Sequence, residues 1–126
     1  MNTKEIERFE KIATQLDGFY EEIGNLTKKS PNDGVNKFKL KLINKLLLES
    51  NSILGERYRP FDDFVVFEED DLPSNSDVTS ILSQYINCLE KLRSDNIQNE
   101  YTTWYWKIDG KVSSIRTAAP KKIGKR

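Results

Sequence analysis

Few residues in this sequence can do chemistry. The densest carboxylate cluster is Glu68-Glu69-Asp70-Asp71. Adjacent acids could hold a divalent cation or divide acid–base work between two carboxyls. The run lacks the D-x-[DN]-x-[DN]-G spacing of a calcium loop. In an extended chain neighbouring carboxylates point to opposite sides, so the four do not converge on one ion. The single cysteine, Cys88, falls beside an apolar stripe in the C-terminal half of a helical segment. That is away from the positive helix end that would activate a thiol, so an inert buried thiol is expected. No histidine occurs, which removes Ser-His-Asp triads, Cys-His dyads, H-E-x-x-H zinc sites and imidazole pH switches together. One cysteine makes no internal disulfide and no cysteine zinc cluster. The sequence therefore points to no catalytic residue, no cofactor and no metal, and a non-enzyme is expected.

Binding chemistry is better represented. Phe61, Phe64 and Phe67 are interleaved with Asp62, Asp63, Glu68, Glu69, Asp70 and Asp71. Aromatic anchors among steering charges are what protein interfaces use. A second candidate lies near the C-terminus, where Trp104 and Trp106 stand near Lys107, Lys111 and Arg116, followed by Lys121, Lys122, Lys125 and Arg126. Exposed rings there could stack on bases while the cations meet phosphates. No RNP motif, GXXG loop or helix-turn-helix signature supports that alternative. Lys37, Lys41 and Lys45 form an i, i+4, i+8 stripe, which is solvated or faces something anionic.

Periodicity shows the elements that must position these groups. About Lys4 to Leu26, the residues Phe9, Ile12, Leu16, Phe19, Ile23 and Leu26 recur at alternating spacings of three and four. This predicts a helix with a heptad-like seam, capped by Thr3, packing against its own chain because the seam is short for a coiled coil. Ser30-Pro31-Asn32-Asp33-Gly34 is a turn. About Val35 to Leu54, Val35, Phe38, Leu42, Ile43, Leu46, Leu47, Ile53 and Leu54 cover most of a helical wheel, which predicts a central helix buried on several sides and stopped at Gly55. Lys39 falls within that face, and a carboxylate from the acidic segment is expected to meet it. Arg59 to Asn75, bracketed by Pro60 and Pro73, is expected to be an ordered loop. The third helix runs about Asp77 to Arg93, with Val78, Ile81, Leu82, Tyr85, Ile86, Leu89 and Leu92 as its stripe and Ser74, Ser76 or Asp77 as its cap. Tyr101 to Ile108 and Lys111 to Arg116 flank Asp109-Gly110, a strong hairpin signal.

Length and composition bound the class. A chain of 126 residues is one domain able to bury a core. Charged residues are 32% and apolar residues 37%, too apolar and too balanced for wholesale disorder. Lys+Arg and Asp+Glu are 20 each, yet charge is distributed in blocks: residues 28–59 carry net +5, residues 60–77 net −7 and residues 107–126 net +6. Such blocks meet in cis or recruit a partner. The start lacks a signal peptide's apolar stretch, and no apolar run approaches the roughly 20 residues of a membrane span, so a cytoplasmic setting without membrane association is expected.

The expected fold is α+β: a three-helix bundle with an acidic-aromatic loop between helices two and three and a C-terminal β-hairpin. Residues 1–117 form the domain and residues 118–126 a basic mobile tail. The expected function is a small non-catalytic protein–protein interaction module, an adaptor, inhibitor or accessory subunit. Its partner is another protein, with a second copy of the chain among the candidates. The alternative is a nucleic-acid-binding accessory protein using the aromatic hairpin and basic tail.

Overall fold

A computed structural model describes residues 1–122. It is an α+β chain of three helices followed by a three-stranded antiparallel sheet. Helix α1 spans Thr3–Lys29. Asn2, not Thr3, caps it: its side chain accepts from the Glu5 N–H while the Glu5 carboxylate accepts from the Asn2 N–H, a reciprocal capping box. Helix α2 spans Lys37–Tyr58 behind an Asn36 cap. Gly55 breaks its helical dihedrals at φ 63° and ψ −172°, a region almost reserved for glycine, so the regular helix stops where the sequence places its stop. Helix α3 spans Asn75–Ser94, capped by the Ser74 hydroxyl, which accepts from the Asp77 N–H.

All three helices pack on one another. From α1, Ile6, Phe9, Ile12, Leu16 and Ile23 are buried. From α3, Val78, Leu82, Tyr85, Ile86, Leu89 and Leu92 are buried. The phase of α2 differs from the expected one. Its buried stripe is Leu40, Ile43, Leu46, Leu47, Ser50 and Leu54, while Phe38 is 71% exposed and Leu42 also faces outward. A helix with apolar residues nearly all round does not reveal which side faces the core, and packing against α1 and α3 selects it. Lys39 does find a carboxylate, but it is Glu22 on α1, at 2.7 Å and half-exposed, rather than one from the acidic loop.

The C-terminal part is a sheet of three strands rather than a two-stranded hairpin. Strand β1 is Ile97–Glu100, β2 is Thr103–Ile108 and β3 is Lys111–Thr117, in the order β1-β2-β3. Tyr101, expected to begin a strand, instead turns the chain between β1 and β2, with φ 60° and its side chain exposed. Asp109 and Gly110 both adopt positive φ, as a two-residue turn with this twist requires. Trp106 plugs the sheet into the helices. It is fully buried and meets the Phe9 ring edge-on at 5.2 Å. The helix-connecting segments are tied at the other end, where Val35 donates to the Pro73 carbonyl and Asn75 donates to the Asp33 carbonyl.

Candidate functional site

The acidic loop is built on α2 and α3 through its apolar residues. Phe61 and Phe64 meet edge-on at 6.0 Å, Phe64 and Phe67 at 5.2 Å, and Phe64 reaches Tyr85 at 6.4 Å. All three phenylalanines are half-buried against the core. They are therefore pins within the chain, and the side of the loop presented outward is carried by other residues. Asn44 fixes the backbone by two hydrogen bonds: its Nδ2 donates to the Phe67 carbonyl and its Oδ1 accepts from the Phe67 N–H, both at 2.9 Å. Two residues earlier in the loop, Asn51 donates to the Val65 carbonyl at 3.1 Å and accepts from the Tyr85 hydroxyl at 2.8 Å. Burial pushes the Tyr85 phenol above its ordinary pKa, against the opposing pull of the Asn51 bond, so it stays a neutral donor at physiological pH. Asn44 and Asn51 are one heptad apart on α2, so both point at the loop.

Those pins set the loop's outward face. Asp62, Asp63, Glu68, Asp70 and Asp71 are exposed, and Glu69 is half-buried. Val65 is 50% exposed and Leu72 is 58% exposed. Glu69–Asp71 form one 3-10 turn that lies against α2. Among the described residues, no cluster of three carboxylates or thiols converges in a way that could hold a metal ion.

Beside the loop runs the outer flank of α2. Lys37, Lys41 and Lys45 are exposed there, together with Phe38 and Leu48, which is 52% exposed. None of the three lysines lies in an ion pair among the described residues. One face of the protein thus carries a basic stripe on a helix and an acidic stripe on a fixed loop, each with exposed apolar side chains.

In the second candidate surface, the aromatic strand, Trp106 is fully buried and offers nothing to stack on, because the alternation that puts Trp104 and Trp106 on one side of β2 puts that side on the helices. Trp104 is half-buried against the same core. Lys107 is half-buried, and Lys111, Arg116, Lys121 and Lys122 are exposed. Lys125 and Arg126 lie outside the described residues. The start of the expected tail is fastened to the domain. Arg93 makes a bidentate pair with Glu90, both contacts at 2.8 Å, and also donates to the Thr117 hydroxyl and to the Ala118 and Ala119 carbonyls. The Lys121 N–H donates to Glu90 at 2.8 Å. Burial raises the Glu90 pKa, but the hydrogen bonds and charges of Arg93 and Lys121 outweigh it and hold the carboxyl below its ordinary value.

A groove of about 870 Å³ follows the seam between α1 and α3, with Phe9, Ala13, Gly24, Ile86, Leu89 and Trp106 among its walls. Its Glu90–Arg93 pair is saturated by its own chain. Cys88 is half-buried, and burial raises its thiol pKa, so little thiolate forms. No helix among the described residues is long and apolar enough to cross a membrane.

Sequence reasoning passed over Asn44, Asn51, Glu90 and Arg93. Their signal was present: polar residues at heptad or i, i+3 spacing on the edges of apolar stripes, where a side chain must find a partner. No family model, no curated protein and no solved structure matches this chain.

Proposed function

We propose that the protein is a small non-catalytic protein–protein interaction module, and that it binds through the face shared by α2 and the acidic loop. In this reading the mutually packed helices are a bundle that serves as a rigid platform in the cytoplasm. The observation that carries the proposal is the exposure of Phe38, Leu48, Val65 and Leu72 amid lysines and acids that find no ion-pair partner among the described residues. Exposed apolar anchors inside a charged rim are the composition of a binding patch. The Asn44 and Asn51 hydrogen bonds hold the loop in one conformation, which lowers the ordering cost of association. The phenylalanines act from beneath, and the acids steer.

The test compares the wild-type chain with a Phe38→Ser/Leu48→Ser variant, each immobilised and exposed to extract of the source cell. Both substitutions are at exposed sites, so circular dichroism should report an unchanged fold. The wild type is expected to retain a protein that the variant does not. Equal retention by both chains would place the binding surface elsewhere.

A further inference from the structure

We infer that the occupant of this face is a second copy of the same chain, docked about a two-fold axis that runs along the boundary between α2 and the acidic loop; the inference rests on the reading of that face as the binding surface. The two stripes are adjacent and run side by side. Asn44 holds Phe67 and Asn51 holds Val65, so the loop travels antiparallel to α2 along one flank. Residues 68–71 then lie beside the N-terminal half of the helix, on the side next to Lys41 and Lys45. The helix stripe is net positive, since Lys37, Lys41 and Lys45 outnumber Glu49 and Glu56, the two acids of the same helix. The loop stripe is purely acidic.

Parallel stripes of opposite sign are self-complementary under one symmetry operation. A two-fold axis along their boundary turns the second copy so that its basic helix lies on the first copy's acidic loop, and its acidic loop on the first copy's basic helix. Every favourable contact then occurs twice, as in any isologous interface. A two-fold axis across the stripes instead sets lysine on lysine and acid on acid, so the charges select the register as well as the partner. The two α2 helices run parallel in the selected dimer. Phe38 and Leu48 of one copy meet Val65 and Leu72 of the other, which covers the exposed apolar side chains of both stripes. The whole chain has no net charge, so two copies approach without overall repulsion.

Sedimentation velocity on the full chain tests this. Wild type is expected to show a concentration-dependent dimer in the range of about 1–100 µM at low salt, weakened by raised ionic strength. Two charge-reversed chains are compared, Lys41→Glu/Lys45→Glu and Asp70→Lys/Asp71→Lys. Each alone sets like charge on like charge, so each should dimerise at least about 10-fold more weakly than wild type. An equimolar mixture of the two restores both contacts and should form the heterodimer. A Lys4→Glu/Lys11→Glu chain carries the same change in net charge as Lys41→Glu/Lys45→Glu, on an exposed part of α1, and should dimerise like wild type. A wild type that stays monomeric overturns the second copy as occupant. It leaves the binding face standing if Phe38→Ser/Leu48→Ser still abolishes capture of another protein, an acidic peptide on the lysine stripe being one such case. A dimer indifferent to both charge reversals overturns the second copy at this face, and capture unaffected by Phe38→Ser/Leu48→Ser overturns the face itself.

Discussion

Replacing Arg93 by methionine should be among the most damaging single changes in the chain. The guanidinium is buried and all of its N–H groups are in use. Two go to Glu90, two to the Ala118 and Ala119 carbonyls and one to the Thr117 hydroxyl, at 2.7–2.9 Å. Methionine fills much of the same space but donates nothing. The Glu90 carboxylate is then buried with only the Lys121 N–H for company. Breaking a buried pair by removing one partner costs about 3–5 kcal/mol, a large share of the roughly 5–15 kcal/mol that holds a domain together. The melting temperature of a chain this size should fall by roughly 10–20 °C. The Arg93→Met/Glu90→Leu double variant removes the stranded charge together with its partner. It should therefore lose less than the sum of the two single losses, with a coupling energy of about 1–3 kcal/mol. Urea unfolding followed by circular dichroism measures all four corners of the cycle. A loss below about 1 kcal/mol for Arg93→Met, or simple additivity in the double variant, would refute the buried clamp.

Three other outcomes are expected. Because Glu90 has a depressed pKa in the folded chain, its contribution is present above the ordinary carboxylate pKa and is lost as pH falls through the folded value. The stability gap between wild type and Glu90→Gln should accordingly be widest near neutral pH and close in acid, as read by urea midpoints across pH. Asn44→Ala removes both hydrogen bonds to the Phe67 backbone and should cost about 1–3 kcal/mol, with faster amide exchange at Phe67 than in wild type. Gly55→Ala adds a methyl group that meets nothing within 4 Å, so its cost is the backbone conformation alone, about 1–3 kcal/mol in thermal or urea unfolding.

The helices were legible where apolar residues repeat on one side. Most of the α1 and α3 stripes is buried, although Leu26, expected in the α1 seam, is 39% exposed at the last turn, and Asp109-Gly110 turns the chain as its composition demands. Legibility ended where the signal was symmetrical or tertiary. On α2 the apolar residues nearly encircle the helix, so Phe38 was placed inside and Leu40 was overlooked, the reverse of their burial. Strand β1, Ile-Gln-Asn-Glu, has little intrinsic strand preference. It exists because Ile97 pairs with Trp106 and is buried beside it. The acidic residues of the candidate face could be read directly. Its apolar part was less legible: nothing in the sequence separates Phe64, which is half-buried against the core, from Val65, which is 50% exposed, until Asn44 and Asn51 fix the loop's rotation.

A photo-reactive amino acid placed at position 48, on the outer flank of α2, tests the central claim most directly. The same group at position 17, on the α1 side of the α1–α3 groove, and at position 112, on the exposed edge of the sheet, serves for comparison. Irradiation is carried out in extract of the source cell containing the labelled full-length chain, and products are identified by mass spectrometry. The account predicts a specific adduct from position 48, to a second copy of the chain, and none from positions 17 and 112. Adducts from position 17 or 112 with none from position 48 would contradict it.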